Sequence, residues 1–170
     1  MNKLFYPKLA AQNLHKNRQF YLPYILTVLG TAAAFYILAA LANTKPTSTQ
    51  TRYYYLSIYM SIGLVVVGLF SVIFLFYTNS FLMKRRKTEL GLYHVLGMGK
   101  THIARVLLWE TLFTALLSIG AGAIGGMVFS KAAQVLLLRM MGRGIDYVFT
   151  LQPPALAYSV ILFAAIFALI

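Results

Sequence analysis

Apolar stretches with at most one charge alternate with polar connections along the chain, and four of them stand out. The 23 residues from Phe20 to Ala42 contain no charge. At 1.5 Å per residue they give about 34 Å of helix, enough for a hydrocarbon core of about 30 Å. Tyr53 to Met83 is also uncharged. It would be about 46 Å long as a helix, so it is expected to tilt or to continue past the membrane as a stalk. Val106 to Phe129 carries Glu110 as its only charge. The fourth stretch follows Pro153-Pro154 and is still apolar at Ile170, and its 16 residues from Ala155 fall short of the roughly 20 that a span needs. The fourth span is therefore expected to be cut within a longer protein. The pattern predicts an all-α polytopic transmembrane helical bundle of three complete spans (20–42, 53–83, 106–129) and a truncated fourth (154–170). An N-terminal segment 1–19 precedes them, and connections at 43–52, 84–105 and 130–153 join them.

Composition sharpens this picture. Charged residues make up 11% of the chain, against about 25% in soluble domains, too few to cover a soluble surface. The apolar content excludes disorder. Cysteine is absent, which removes disulfides, thiolate metal sites and thiol nucleophiles. Only three acids (Glu89, Glu110, Asp146) and three histidines (His15, His94, His102) are present. The histidines are too scattered for a local metal site, Asp146 has no nucleophile beside it, and no cofactor is implied.

The 15 basic residues could signal nucleic acid or an anionic membrane, and their positions decide. Lys3, Lys8, Lys16 and Arg18 precede the first span, and Lys84, Arg85, Arg86, Lys87, Lys100 and Arg105 fill the second connection. Only Lys45 and Arg52 lie in the first connection, and Lys131, Arg139 and Arg143 in the third. Basic residues gathered at span ends are what a lipid bilayer requires, so no nucleic-acid partner is expected. The asymmetry predicts a cytoplasmic N-terminus and a cytoplasmic 84–105 connection. Tyr53, Tyr54, Tyr55 and Tyr59 fit an outer aromatic belt, and Phe20, Tyr21 and Tyr24 an inner one. A cleaved signal peptide ending at Ala40-Leu41-Ala42 is disfavoured, because the apolar stretch exceeds 7–15 residues and nearly 20 residues precede it.

Several local features bear on function. Gly99-Lys100-Thr101 ends like a phosphate-binding loop, but that loop needs a glycine where His94 stands and a preceding strand where a helix is expected. Ser118, Gly122 and Gly126 recur every four residues, a stripe that lets two helices approach closely, with a weaker counterpart in Gly30 and Ala34. Glu110, an acid within a span, is expected to pair with a basic residue near the inner interface or to serve transport directly. In the 130–153 connection, Lys131 to Met141 predicts an interfacial helix ended by Gly142 or Gly144. The 84–105 connection is the most informative. Thr88 is a candidate N-cap and Glu89 sits at the favourable end of a short cytoplasmic helix. Leu90, Leu92, Tyr93, Val95 and Leu96 make that helix unusually apolar, and Gly97 and Gly99 break it. Insertion into a groove on a cytosolic partner and rest on the lipid surface both fit these residues.

The same stretch resembles the FtsX-like permease family, membrane subunits of one class of ABC transporter. The residues that match are Arg85, Arg86, Glu89, Leu90, Gly91, Leu92, Leu96, Gly97 and Glu110. The opening Leu9 to Arg18 is similar to the amphipathic start of such permeases. The short connection between the first two spans resembles the bacitracin-resistance (Bce-type) permeases of Gram-positive bacteria. That group implies ten spans with a large extracellular domain between the seventh and eighth, so that 53–170 would be part of one FtsX-like domain. The resemblance also implies a bacterial cell-membrane location and a separate cytosolic ABC ATPase subunit, so that this chain is no enzyme. It implies antimicrobial peptides or their lipid-bound complexes as substrate, and often a sensor kinase partner. On this reading Glu89 to Val95 (except His94), Leu96, Gly97 and Met98 couple to the ATPase. The alternatives are a non-transporting signalling subunit that controls a hydrolase or kinase, and an ATP-independent carrier or channel. The scarcity of intramembrane charge argues against ion-coupled carriage.

Overall fold

The computed structural model describes residues 5–43, 51–140 and 153–170. Its elements are the helices α1 (Phe5–Lys16), α2 (Arg18–Ala42), α3 (Thr51–Val95), α4 (Lys100–Met140) and α5 (Pro153–Leu169). No strand occurs among the described residues. Three stretches are long and apolar enough to cross a membrane: Arg18–Ala42, Ser57–Val95 and Lys100–Leu136. Most of the 43–52 connection lies outside the described residues, as do Gly142, Gly144 and Asp146.

α2 is the centre of the bundle. It buries Tyr21, Tyr24, Val28, Ala32, Phe35, Tyr36, Ala39 and Ala40, which recur at three- and four-residue intervals along one side. α3 and α4 both pack along it and barely meet each other, and α5 closes the remaining side. Phe163 of α5 meets Phe35 edge-on at 6.2 Å, and Phe167 meets Tyr24 at 6.4 Å. α3 faces α2 with Ser71, Leu75 and Leu82, all buried.

Two long helices replace more broken expectations. α3 runs unbroken for 45 residues, about 67 Å, more than twice the hydrocarbon thickness. The short separate helix expected to begin at Thr88 is instead the last turns of α3. Lys84, Arg85, Arg86, Lys87 and Glu89 are good helix formers, and no glycine or proline stands among them, so the lone Thr88 does not stop the helix there. For the same reason the interfacial helix expected from Lys131 is a continuation of α4, which runs to Met140.

Gly97 ends the long α3. It has φ +88°, the left-handed conformation that glycine adopts freely. Its N–H donates to the His94 carbonyl at 3.1 Å, and the Met98 N–H to the Tyr93 carbonyl at 3.0 Å. This pair of bonds is the Schellman arrangement. Gly99 then starts α4, its carbonyl accepting from the His102 and Ile103 amides. The reversal takes four residues, Leu96 to Gly99, and forms the tip of an α3–α4 hairpin.

The first-span counterpart of the glycine stripe needs correction. Gly30 and Ala34 are exposed, and a Cβ on Gly30 would meet nothing within 4 Å. Each lies two residues from Ala32, about 200° around the helix, so both point away from the face that α4 touches. Ala32 and Tyr36 form that face instead.

Candidate functional site: a buried ion pair beneath an apolar hairpin tip

Seven positions of α4 are buried in strict four-residue register: Val106, Glu110, Thr114, Ser118, Gly122, Gly126 and Ser130. Each step of four advances the row by about 40° beyond a full turn, so the row winds around α4 as it climbs. Its upper part lies against α2. A Cβ built on Gly122 would stand 2.8 Å from the Ala32 Cβ and 3.3 Å from the Leu29 carbonyl oxygen, and one on Gly126 2.9 Å from the Tyr36 Cβ. Only glycine fits such an approach.

Its lower part brings Glu110 into a buried polar cluster. Glu110 and Arg86 of α3 are each 2% exposed and form an ion pair. Arg86 Nη2 donates to Glu110 Oε1 at 3.1 Å, and Asn13 Nδ2 of α1 donates to the same oxygen at 3.0 Å. Oε2 accepts from Arg86 Nη1 and from the Tyr21 hydroxyl of α2, the latter at 2.9 Å. Arg86 Nη1 also contacts the Tyr21 oxygen. Four donors thus occupy both carboxylate oxygens, which fills the lone-pair sites of the group. Glu110 has no open position with which to carry a proton or bind a cation. The partner is Arg86, not the nearer Arg105, whose guanidinium lies over the Tyr6 ring at 5.8 Å.

Glu89 continues the cluster toward the tip. It accepts from Asn17 Nδ2 at 2.8 Å and lies 3.6 Å from Arg86 Nε. Tyr93 donates to Asn13 Oδ1 at 3.4 Å. Tyr6 of α1 meets His102 of α4 at 2.5 Å. α1 is therefore pinned to the start of α4 by side chains at both its ends.

The remaining tip residues stay uncovered. Leu92 is 60% exposed, Val95 86% and Leu96 77%. Gly91 is open, while Leu90 and Met98 are half-buried. The sequence-identified stretch Glu89 to Met98 therefore divides. Glu89 and Tyr93 turn inward to the cluster, and Leu92, Val95 and Leu96 point outward. Among the described residues no three acidic or histidine side chains gather as metal ligands would.

Sequence reasoning missed Arg86, Tyr21 and Asn13 as the partners of Glu110, and Tyr21, assigned there to an inner aromatic belt, is buried in the bundle. A signal existed for Glu110 alone, which lies eight residues before Ser118 in the four-residue row, whereas only the structure puts Leu82, four before Arg86, on the buried side of α3.

A family model described as FtsX-like permease C-terminal matches residues 61–170, well over half the chain. The chain belongs to the FtsX-like permease family. It is similar to the bacitracin export permease protein BceB of Halalkalibacterium halodurans, 29% identical over 164 residues, which cover 95% of this chain and 25% of that one. The protein of the same name from Bacillus subtilis is 27% identical, over 96% of this chain and 25% of its own. An uncharacterized ABC transporter permease of Bacillus subtilis, YvcS, is 26% identical over 94% of this chain and 25% of its own. The chain thus spans about a quarter of the length of these curated relatives. No solved structure matches it.

Proposed function

We propose that the chain works within the permease subunit of an ABC transporter of the bacitracin-export type, multi-pass in a bacterial cell membrane, and that the α3–α4 tip docks on a separate cytosolic ATPase subunit. The observation that carries this reading is the tip itself. Three large apolar side chains, Leu92, Val95 and Leu96, are exposed on the last turn of α3 and the reversal that follows it, and α3 is long enough to hold them clear of the hydrocarbon. An apolar helix end held in water needs a groove to fill. Ten basic residues precede the first span or surround this end, against five in the other connections, which supports a cytoplasmic tip and N-terminus. ATP hydrolysis belongs to the partner, and this chain passes the partner's motion into the membrane. Antimicrobial peptides or their lipid complexes are the substrates this reading assigns, with a sensor kinase as a further partner.

The test is Leu92→Asp/Leu96→Asp in the intact permease. Both side chains share one side of the helix end, since the Leu96 amide bonds the Leu92 carbonyl at 3.0 Å. Two unpaired carboxylates forced into an apolar groove cost several kcal/mol, and each 1.4 kcal/mol is tenfold in affinity. Capture of the ATPase and protection against the peptide should be lost together, while expression and membrane insertion persist. Normal ATPase capture by a well-expressed variant would refute the docking role.

A further inference from the structure

α3 and α4 are joined at the tip, yet α2 lies between them and they make almost no direct packing contact. Two helices that touch only at a turn can splay apart above it. The described residues hold one strong link across this gap, the Arg86–Glu110 pair, and Tyr21 of the intervening α2 bonds to both partners. Asn13 ties α1 to the same carboxylate, and Asn17 ties the α1–α2 junction to Glu89 one turn along α3. Side chains of α1, α2, α3 and α4 all meet in this small cluster. A buried ion pair adds little stability over apolar residues of the same volume, whereas its directional bonds allow one arrangement only.

We infer that the Arg86–Glu110 pair is a joint that makes α3, α4 and the first turn of α2 move as one body, so that a displacement of the tip reaches the far ends of both long helices together. Arg86, Glu110 and Tyr21 are positioning residues in this role, acting through helix orientation rather than on any substrate. The inference rests on the reading of the tip as an ATPase-docking element, and the experiment separates the two.

The intact permease is placed in lipid nanodiscs with its ATPase subunit. Spin labels go at Tyr59 and Phe129, exposed positions toward the far ends of α3 and α4, and in a second sample at Lys87 and Leu108, exposed beside the joint. The variant is Arg86→Met/Glu110→Leu/Tyr21→Phe, which removes the charges and hydroxyl together and leaves no buried ion alone. Arg86→Gln/Glu110→Gln, polar but without a buried charge, provides a second variant should the triple one fold poorly, and Arg86→Lys the conservative control. In the wild type, a non-hydrolysable ATP analogue should shift the Tyr59–Phe129 distance. In the triple variant the ATPase should stay bound and the melting temperature stay close to wild type. The far-end shift should nonetheless disappear and the Lys87–Leu108 distribution widen, and Arg86→Lys should restore part of the shift. A purely structural pair would move the melting temperature and leave the nucleotide response intact. A full far-end shift in a variant that binds the ATPase, or no shift in wild type with the ATPase bound, overturns the joint. If wild type captures no ATPase, the docking reading fails instead. The joint is then decided by the Lys87–Leu108 widths, an unchanged width in the variant overturning it and a widened one supporting it.

Discussion

Gly122→Ala adds one methyl group where α4 crosses α2. The new Cβ would stand 2.8 Å from the Ala32 Cβ, while ordinary contact begins at 3.4 Å, so the helices must separate by about 0.6 Å locally. The other near atoms, the Leu29 carbonyl oxygen at 3.3 Å and its Cα at 3.5 Å, are backbone and cannot rotate away. A gap of 0.5–1 Å forfeits a quarter to a half of each dispersion contact along the seam. Overpacking of this kind costs about 1–3 kcal/mol. Glycine to alanine within a helix also gains about 1 kcal/mol of propensity, which masks part of the loss. Gly120→Ala isolates that gain, because a Cβ there meets nothing within 4 Å. The informative quantity is therefore the difference between the two variants, about 1–3 kcal/mol with Gly122→Ala the less stable. It can be read from reversible unfolding of the intact protein in mixed detergent and SDS. After allowance for the about 1 kcal/mol of propensity that Ala32→Gly itself costs, it should recover most of the loss in Gly122→Ala, since it removes the atom that clashes. Equal stability of Gly122→Ala and Gly120→Ala would refute the close approach of α2 and α4, and no recovery by Ala32→Gly would misplace the contact.

Three further outcomes are expected. Glu110→Ala leaves Arg86 charged and alone in a buried site, so unfolding free energy should fall by about 3–5 kcal/mol, measurable by the same titration. Gly97→Ala should lose about 1–2 kcal/mol to the left-handed backbone and Gly97→Asn less, since asparagine tolerates that conformation; equal melting temperatures for both and for wild type would contradict the turn. Single cysteines at Lys100 and Met140, both exposed, should react with a membrane-impermeant thiol reagent in inverted vesicles and in intact cells respectively, and labelling of position 100 in intact cells would reverse the orientation.

The first span and the apolar extent of the others were legible because a charge-free stretch of membrane length has few other readings. Where the helices end was less legible. Basic residues at 84–87 close the charge-free stretch, but they do not stop a helix, and only Gly97 does. The stripe at Ser118, Gly122 and Gly126 could be read from α4 alone, whereas its counterpart could not. Small residues at Gly30 and Ala34 suggested a face, but neighbouring bulk decided it, and α2 turned Ala32 and Tyr36 inward instead. Glu110 was conspicuous as an acid in a span. Its partner lies 24 positions away on another helix, and such a pairing depends on the rotational phase of both helices around α2. Charge patterning within either segment carries no information about that phase.

The insertion of α2 between the arms of the α3–α4 hairpin also constrains how the bundle can be assembled. Ala32 and Gly122, which meet across the seam, are 90 positions apart, so α2 must wait during synthesis for a partner helix made much later. A hairpin that paired its own arms first would exclude α2 and trap the bundle. The scarcity of direct packing between α3 and α4 leaves their cleft to α2, which fills it.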